Sequence, residues 1–350
     1  MRVLAALSGG VDSAVAAGLL AEAGHEVIGV TLQLYDHGAA TGRRGACCAG
    51  EDIADARRVA DRLRIPHYVI DAEARFRAAV IEEFAAAYAA GETPVPCVRC
   101  NQSVKFADLT ALAQGLGAEC LATGHYVRRV DGPDGPELWR ARDPARDQSW
   151  FLFATTRAQL AASLFPLGAM ADKAAVRAEA ARLGLPVAAK PDSQDLCFVP
   201  AGSYAAVAGR LRPEALEPGE VVDGAGAVLG RHDGIARFTV GQARRLPPRA
   251  QGQVVVALDA PARRVVVGPR TTGTTRVRLR ETNWLAAAPA EGWRCAVKLR
   301  GRDEPRPALV CPGPDGTAEV TLDSPALPAP GQACVAYAGE RVLGGGFIAG

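Results

Sequence analysis

Apolar and polar residues alternate in two different ways along this chain, and the first pattern covers about the first 125 residues. Short apolar runs predict buried strands at residues 3–6, 27–32, 68–70 and 120–122. Between them, helical spacing of the apolar residues predicts helices at residues 51–63, 74–88 and 104–116. Strands that alternate with helices form a parallel sheet covered on both faces, so we expect a doubly wound α/β nucleotide-binding domain.

The second pattern begins near residue 213, where glycine and proline become frequent and valines alternate with polar residues. Such short alternating runs predict small β-rich domains. We therefore predict three domains in the 350-residue chain. Residues 1–205 form the nucleotide-binding and catalytic domain, residues 206–272 a small β-rich domain, and residues 273–350 a C-terminal β-barrel.

Composition narrows the class of protein. Hydrophobic residues make up 49% of the chain, yet no stretch approaches the roughly 20 apolar residues of a membrane span. The N-terminal methionine leads directly into the first predicted strand, which leaves no room for a signal peptide, so we expect a cytoplasmic protein without membrane contact. Nine cysteines, an odd number at uneven spacing, favour reduced thiols over a disulfide framework.

Charge is distributed unevenly, with −3 on residues 1–205 and +5 on residues 206–350. Six arginines fall between residues 263 and 280. If these arginines lay on one face of the protein, that face would suit the phosphate backbone of a nucleic acid. The chain uses arginine almost everywhere, however, and has only four lysines, so an overall arginine bias also explains the cluster.

The segment Ser8-Gly9-Gly10-Val11-Asp12-Ser13 lies between the first predicted strand and a helical stretch. Glycines allow close backbone approach, hydroxyls donate hydrogen bonds, and a helix N-terminus attracts phosphate. Asp12 could hold Mg²⁺. The lysine of the ordinary NTPase loop is missing, and the hexapeptide instead resembles the pyrophosphate loop of enzymes that cleave ATP between the α- and β-phosphates. The alternative is a glycine turn that only caps a helix.

Two further segments contain cysteines that could carry chemistry. In the first, Pro94 and Pro96 predict a non-helical loop, so that Cys100 lies near the N-terminus of the next helix and beside Arg99, features that lower a thiol pKa. Together with Cys97 it could instead form half of a zinc site, although no second pair stands at the usual spacing. Cys197, in the second segment, would on its own more often be a buried apolar residue.

The remaining cysteines carry weaker expectations. Cys47 and Cys48 lie in a loop near the predicted site, and we do not expect them to be catalytic. The other four stand in apolar, strand-like surroundings and are expected in the core: Cys120, Cys295, Cys311 and Cys334.

Together the motifs closely resemble the bacterial tRNA-specific 2-thiouridylases, the MnmA/TrmU family. The resemblance covers essentially the whole chain. It rests on the pyrophosphate loop and on these segments: Thr123-Gly124-His125-Tyr126, Asp147-Gln148-Ser149, Asp192-Ser193-Gln194-Asp195-Leu196-Cys197-Phe198, Gly331-Gln332 and Leu343-Gly344-Gly345-Gly346.

The resemblance implies a fold of the pyrophosphate-loop ATP pyrophosphatase type and a two-step reaction at the wobble uridine of tRNA. ATP with Mg²⁺ adenylates the C2 oxygen, and sulfur then displaces AMP. By position, Cys197 matches the cysteine that carries the persulfide, and Cys100 matches the partner nucleophile that completes the transfer. A disulfide between the two is one route that the resemblance implies. A protein that donates persulfide sulfur is an implied partner, beside tRNA.

The resemblance also assigns binding positions. The ATP-binding residues that it implies are Ala6, Leu7, Ser8, Gly9, Gly10, Val11, Asp12, Ser13, Leu32 and Gly124. Those implied to bind tRNA are His125, Arg146, Asp147, Gln148 and Gln332, and the C-terminal barrel is implied to take part.

One position departs from the family pattern. Where well-known members have aspartate in N-P-D-x-x-C, this chain has Cys97, so the role given to that aspartate, on the target base, is open here. With Cys100 and Cys197 it makes three thiols, which is also the ligand number of a [4Fe–4S] cluster with one open iron. A metal-free persulfide route and such a cluster are therefore both open.

Two rival functions are considered. Another adenylating enzyme with the same loop would deliver ammonia or an amine, and would need a glutaminase domain or channel that the sequence does not indicate. A noncatalytic RNA-binding protein, stabilised by a metal at Cys97 and Cys100, would form no AMP.

Overall fold

The computed structural model describes residues 1–35, 48–192, 196–199 and 203–350. The chain divides into two compact units. Unit 1 comprises Met1–Ala79, Cys97–Pro200 and Glu340–Val342, and unit 2 comprises Val80–Pro96, Ala201–Gly339 and Leu343–Gly350. The three-domain division stays a prediction.

Helices and strands follow in chain order. The α-helices are α1 (Val11–Glu22), α2 (Cys48–Leu63), α3 (Glu73–Phe76), α4 (Glu82–Ala89), α5 (Pro96–Cys100), α6 (Phe106–Gly115), α7 (Arg157–Ala161), α8 (Lys173–Arg182) and α9 (Tyr204–Leu211). The strands are β1 (Arg2–Ala6), β2 (Glu26–Gln33), β3 (His67–Asp71), β4 (Cys120–Ala122), β5 (Val127–Gly132), β6 (Gly135–Arg140), β7 (Ser163–Leu164), β8 (Gly219–Val222), β9 (Val228–His232), β10 (Val254–Asp259), β11 (Arg264–Gly268), β12 (Thr274–Trp284), β13 (Trp293–Lys298), β14 (Arg306–Pro312), β15 (Ala318–Ala326), β16 (Ala333–Ala338) and β17 (Arg341–Ile348).

Unit 1 contains a parallel sheet in the order β3-β2-β1-β4-β7. The central strand β1 is almost fully apolar and buried, as expected for a strand covered on both faces. Helices α1, α2 and α8 contribute Val15, Val59 and Val176 to the same hydrophobic core. The predicted doubly wound α/β domain is therefore confirmed, and the carboxyl end of β1 leads directly into the loop of residues 8–13.

The helical segment around the first cysteine pair begins earlier than the sequence analysis expected. Instead of a loop up to about Lys105, α5 starts at Pro96, and a π-helical turn, Asn101–Lys105, joins it to α6. Proline is favourable in the first turn of a helix because its missing N–H has no intrahelical partner there. Pro96 therefore starts the helix, and the prediction that Cys100 lies just before a helix N-terminus was wrong.

Unit 2 contains two β structures. The strands β10-β11-β8-β9 form one four-stranded sheet. The other is a closed barrel in the order β12-β15-β14-β13-β16-β17, in which β12 pairs with β17. This closure confirms the predicted C-terminal β-barrel.

The glycines of β17 permit the barrel to close. A Cβ on Gly344 would lie 2.3 Å from the carbonyl oxygen of Asn283, and one on Gly345 would lie 2.4 Å from that of Cys334. Gly344 also has a φ of +136°, which other residues adopt only under strain. The sequence analysis predicted no strand there, because glycine weakens a strand pattern.

Among the helices of the described residues, none is both long and apolar enough to cross a membrane.

Candidate functional site

The loop of residues 8–13 adopts the shape of an anion site. Gly9 has a φ of +74°, and Gly10 is the extended residue that precedes α1. The backbone N–H of Ser8 donates to Ser13 Oγ at 3.0 Å, and Ser13 Oγ donates to the carbonyl of Gly10 at 3.1 Å. These bonds fold the loop back over the first turn of α1, where free N–H groups and the helix dipole favour phosphate.

Two neighbours hold the loop so closely that only glycine fits. A Cβ on Gly9 would lie 2.3 Å from the carbonyl oxygen of Asp52 in α2. One on Gly124, which follows β4, would lie 2.7 Å from the backbone nitrogen of Ser13. The structure therefore brings Gly124 against the loop, as its implied role in ATP binding requires. Leu32, another implied ATP-binding residue, pairs with Ile70 in the parallel sheet.

Asp12 accepts hydrogen bonds from Tyr126, part of the motif that follows β4, and from Lys173, which was not singled out from sequence. The hydroxyl of Tyr126 donates to Asp12 Oδ1 at 2.6 Å. The amine of Lys173, in the first turn of α8, donates to both carboxylate oxygens of Asp12, at 2.7 and 2.9 Å. Burial, followed by the Asp12 carboxylate, raises the pKa of Tyr126, so its hydroxyl stays protonated.

A second lysine clamps the other side of the loop. Lys190 Nζ donates to the carbonyl of Gly9 at 3.0 Å and to Asp52 and Asp55 at 2.7 and 2.5 Å. Burial alone would lower the pKa of Lys190, but the hydrogen bonds from the two carboxylates outweigh it and raise the pKa. Lys190 is therefore a fixed cation that ties α2 to the loop.

These donor atoms fit a magnesium ion bound together with a nucleotide. Mg²⁺ in nucleotide sites is usually held by one or two carboxylates and by the phosphates of the substrate. Asp12, with 33% of its side chain exposed and paired with Lys173, supplies one such carboxylate. Asp52 lies across the loop at Gly9 but is paired with Lys190.

The three thiols share one cationic neighbour. Cys100 is buried, whereas Cys97 and Cys197 retain solvent exposure. Lys105 interacts electrostatically with all three. Lys105 lies five positions after Cys100, which in an α-helix would turn the two side chains to different faces. The π-helical turn between them, with its wider i→i+5 bonding, brings the two residues closer in rotation.

The thiol pKa values are shifted in the direction opposite to the sequence-based expectation. Burial raises the pKa of Cys97 and of Cys100, and the positive charge of Lys105 only partly offsets it. For Cys197, burial and then the charge of Cys100 raise the pKa to about 12. The expected lowering by Arg99 and a helix N-terminus was wrong because desolvation dominates.

Lys105 lowers the pKa of each of the three thiols, and they raise its pKa in turn. Burial lowers the pKa of Lys105, but attraction to Cys100, Cys97 and Cys197 outweighs that effect and raises it. A protonated amine next to three thiols favours whichever of them loses its proton. Among the described residues no group of three His, Cys, Asp or Glu side chains is arranged to hold a metal ion.

The residues implied to bind tRNA in unit 1 lie near the same strand end. His125 Nδ1 shares a hydrogen bond of 2.9 Å with Thr123 Oγ1, and its ring stacks on Phe106. Burial, with a contribution from Lys105, lowers the pKa of His125 to about 3, so the ring is neutral. The side-chain oxygen of Gln148 accepts from the backbone of Tyr126 at 2.9 Å.

Asp147 holds the loop that carries Gln148. Its carboxylate accepts from the backbone of Ala141 and of Ser149, from the Ser149 hydroxyl, and from Arg140 Nε. With only 3% of the side chain exposed, these bonds use both oxygens. The geometry gives Asp147 a positioning role, while Arg146 pairs with Asp192 at 2.8 Å.

Gln332 belongs to unit 2. Its side-chain amide donates to the carbonyl of Thr93 at 3.0 Å, and its backbone carbonyl accepts from Ile348. Glu92, next in the same segment, pairs with Arg280 of the barrel at 2.7 Å. These contacts fasten residues 92–93, shortly before Cys97, to the barrel.

Some expectations fall on residues that the structure does not describe. The structure does not describe Cys47 or the side chain of Cys48. It also leaves out Ser193-Gln194-Asp195, the middle of the motif that contains Cys197. Of the cysteines expected in the core, Cys334 is fully buried, while Cys120, Cys295 and Cys311 are half-buried.

Sequence reasoning missed the cations of this site: Lys105, Lys173 and Lys190. One signal was available. The chain has only four lysines among its 40 basic residues, and three of them are these site residues. In such an arginine-rich chain, the lysines are therefore candidates for positions that use a compact point charge, although the fourth, Lys298, lies in the barrel.

Family profiles match along the chain: the tRNA methyl transferase HUP domain at residues 1–201, the tRNA methyl transferase PRC-barrel domain at residues 209–269, and the aminomethyltransferase beta-barrel domain at residues 274–348. Solved structures with partial likeness include an NMN synthetase from Francisella tularensis, 19% identical with a TM-score of 0.34 over 61% of this chain and 76% of that one. A 4-thiouridine synthetase in complex with RNA and ATP is 16% identical, with a TM-score of 0.39 over 61% and 50% of the two chains.

Curated relatives are much more similar. The tRNA-specific 2-thiouridylase MnmA of Acidiphilium cryptum is 68% identical over 99% of this chain and 100% of its own length. The protein of the same name from Gluconobacter oxydans is 62% identical, with 99% of both chains covered. On these matches, which span nearly the whole sequence, the chain belongs to the family of tRNA-specific 2-thiouridylases.

Proposed function

We propose that this protein is an ATP-dependent tRNA-uridine 2-sulfurtransferase that thiolates the wobble uridine of tRNA. The observation that carries the proposal is the combination, within unit 1, of a loop shaped for phosphate and a group of three thiols around Lys105. The relatives named above support the choice of tRNA as substrate. ATP, Mg²⁺, tRNA and a persulfide-donating protein are the required reactants, and the cytoplasm is the proposed location.

The first step activates the uridine. Its C2 oxygen attacks the α-phosphorus of ATP, the bond to the bridging oxygen breaks, and pyrophosphate leaves with the electron pair while N3 loses its proton. The loop N–H groups and the serine hydroxyls hold the phosphates in place. Asp12 would hold Mg²⁺, which supplies charge neutralisation to the phosphates when bound. Ala6, Leu7 and Val11 position the loop, Gly124 packs against Ser13, and Leu32 is a further proposed ATP contact in the neighbouring strand β2.

The second step delivers sulfur. Cys197 carries a persulfide, received from the donor protein, whose terminal sulfur attacks C2 and expels AMP together with the original oxygen. Cys100, as thiolate, then attacks the Cys197 sulfur, so that the S–S bond of the persulfide breaks and the electron pair stays on the sulfur now bound to C2. A Cys100–Cys197 disulfide results, and an external thiol must reduce it before the next turnover.

Lys105 makes this chemistry feasible in a buried site. Burial raises the pKa of Cys100, so at neutral pH the group is mainly a thiol. A neighbouring ammonium stabilises the attacking thiolate at the moment when it forms. Neutral His125 and the side chain of Gln148 are the proposed contacts to tRNA in unit 1, with Arg146 and Asp147 shaping that loop, and Gln332 the contact in unit 2.

Product analysis tests the proposal. With unmodified tRNA, MgATP, a small-molecule persulfide donor and an external thiol, and with iron excluded, we expect AMP, pyrophosphate and 2-thiouridine in equal amounts. Replacing Cys100 or Cys197 by serine should abolish 2-thiouridine while ATP binding persists. ADP and phosphate as products, or no nucleotide turnover at all, would contradict the proposal.

Cys97→Asp separates the persulfide route from a cluster. The variant restores the residue that related sequences carry and removes one of three possible cluster ligands. Thiolation by this variant in the assay from which iron is excluded supports the persulfide route. A folded variant that binds ATP and tRNA but makes no 2-thiouridine, beside a wild type whose activity follows its iron content, would refute it.

A further inference from the structure

Lys173 brings an amine to the loop of residues 8–13, within hydrogen-bond distance of Asp12. The loop itself contains no lysine or arginine. Lys173 comes from α8 instead, where Asp172 caps the helix by accepting from the backbone of Ala175 at 2.7 Å. Packing of Val176 and Ala180 against α1 fixes the helix beside the loop. The amine therefore reaches the first turn of α1 on a rigid support.

The side chain of Lys173 is largely shielded from solvent. Only 11% of its side chain is exposed, and its amine lies 5.8 Å from the ring centre of Tyr126. It donates to Asp12 at 2.7 Å and pairs with Asp192 at 2.8 Å. In water-poor sites a positive charge is costly without partners, so these two carboxylates act as its counter-ions as long as no phosphate is near.

The second counter-ion, Asp192, has other cationic partners when Lys173 leaves it. Asp192 also pairs with Arg146 at 2.8 Å and with Arg177 at 3.3 Å. Burial alone would raise the pKa of Asp192, but the hydrogen bonds and charges of Lys173 and Arg146 lower it, so the group stays ionised. When Lys173 turns towards a new anion, two guanidinium groups remain to neutralise Asp192, and Tyr126 still donates to Asp12.

We infer that Lys173 is a phosphate-contacting residue that binds the β- or γ-phosphate of ATP and neutralises the pyrophosphate as it leaves. When the bond between the α-phosphorus and the bridging oxygen breaks, the electron pair adds negative charge to pyrophosphate, and the ammonium stabilises that charge without giving up its proton. Lys173 thus supplies from α8 the cation that the loop lacks. This inference rests on the proposed use of ATP.

The test compares affinity for ATP with affinity for AMP, because AMP lacks the phosphates that Lys173 would contact. In titrations with the full chain, Lys173→Met should weaken ATP binding by about 10- to 100-fold, the loss expected for charge-assisted hydrogen bonds, and leave AMP binding nearly unchanged. Lys173→Arg keeps the charge and should recover part of the ATP preference. Arg182→Met removes an exposed charge from the same helix and should change neither affinity.

A structural role for Lys173 predicts a different result. If Lys173→Met weakens ATP and AMP in parallel, or leaves both unchanged, the inference is wrong. The arginine variant, which retains a partner for Asp12 and Asp192, keeps the comparison usable should the methionine variant not fold. The proposed function fails by a different measurement. If the wild type binds ATP more tightly than AMP but forms no AMP from ATP in the presence of tRNA, it lacks the proposed activity.

Discussion

Gly9 is the position where the loop geometry makes the sharpest prediction, through the substitution Gly9→Ala. Its φ of +74° costs an alanine about 1–2 kcal/mol. The new Cβ would also lie 2.3 Å from the carbonyl oxygen of Asp52, and ordinary contact begins at 3.4 Å, so loop and α2 must separate by about 1 Å. A displacement of that size in a phosphate site reduces turnover about 100-fold.

Two other glycines serve as controls for Gly9→Ala. Gly24 has a φ of +81° but nothing within 4 Å of its Cβ position, so Gly24→Ala shows the backbone strain alone. Gly10 has ordinary φ, and its Cβ would make a normal contact of 3.5 Å with Ser8 Oγ. Gly10→Ala therefore shows the effect of a methyl group in the loop without strain or clash.

The assay measures AMP formation from MgATP and tRNA, with thermal unfolding as a check on folding. We expect Gly24→Ala to lower the unfolding temperature and leave AMP formation intact. Gly9→Ala should lower both, the rate by about 100-fold. If Gly9→Ala forms AMP within a few-fold of Gly24→Ala, the close approach of loop and α2 is not needed for nucleotide chemistry, and the reasoning fails.

Two further predictions concern titration. Lys105→Met removes the cation that partly offsets the effect of burial on the pKa of Cys100, so the midpoint pH for alkylation of Cys100 should rise. Lys298→Met, in the barrel, is the control and should leave the midpoint unchanged. An unchanged midpoint in Lys105→Met would contradict the arrangement. The pKa of His125 in the folded state is lowered to about 3, so between pH 6.5 and 3 only the unfolded state binds that proton. The folded state is therefore destabilised as the pH falls below 6.5, by up to about 1.36 kcal/mol per pH unit. His125→Gln should flatten this slope in acid-unfolding measurements, and an equal slope would show that His125 is not buried as a neutral ring.

The presence of a parallel sheet and the loop after β1 could be predicted from sequence because both depend on local patterns. Apolar runs of the right length give the strands, and glycines with hydroxyls at a strand end give the phosphate loop. The helix start at Pro96 was missed for a specific reason. Proline stops a helix in its interior but is favourable in its first turn, and the sequence pattern alone did not separate the two cases.

The cations around the loop could not be placed from sequence because they come from distant elements. Lys173 and Lys190 follow Asp12 by more than 160 residues, and only tertiary packing of α8 brings Lys173 to that carboxylate. The predicted direction of the thiol pKa shifts was wrong for a similar reason, because burial is a property of the folded chain. The identity of the motif residues was predictable, whereas their electrostatic balance was not.

Transfer of the uridine oxygen to AMP is the central claim, and isotope labelling tests it most directly. A tRNA whose wobble uridine carries oxygen-18 at C2 would be incubated with the protein, MgATP and a persulfide donor, and AMP analysed by mass spectrometry. The account predicts one oxygen-18 atom in each AMP formed, together with one 2-thiouridine. Unlabelled AMP, or label released to water while 2-thiouridine is formed, would contradict adenylation of the C2 oxygen.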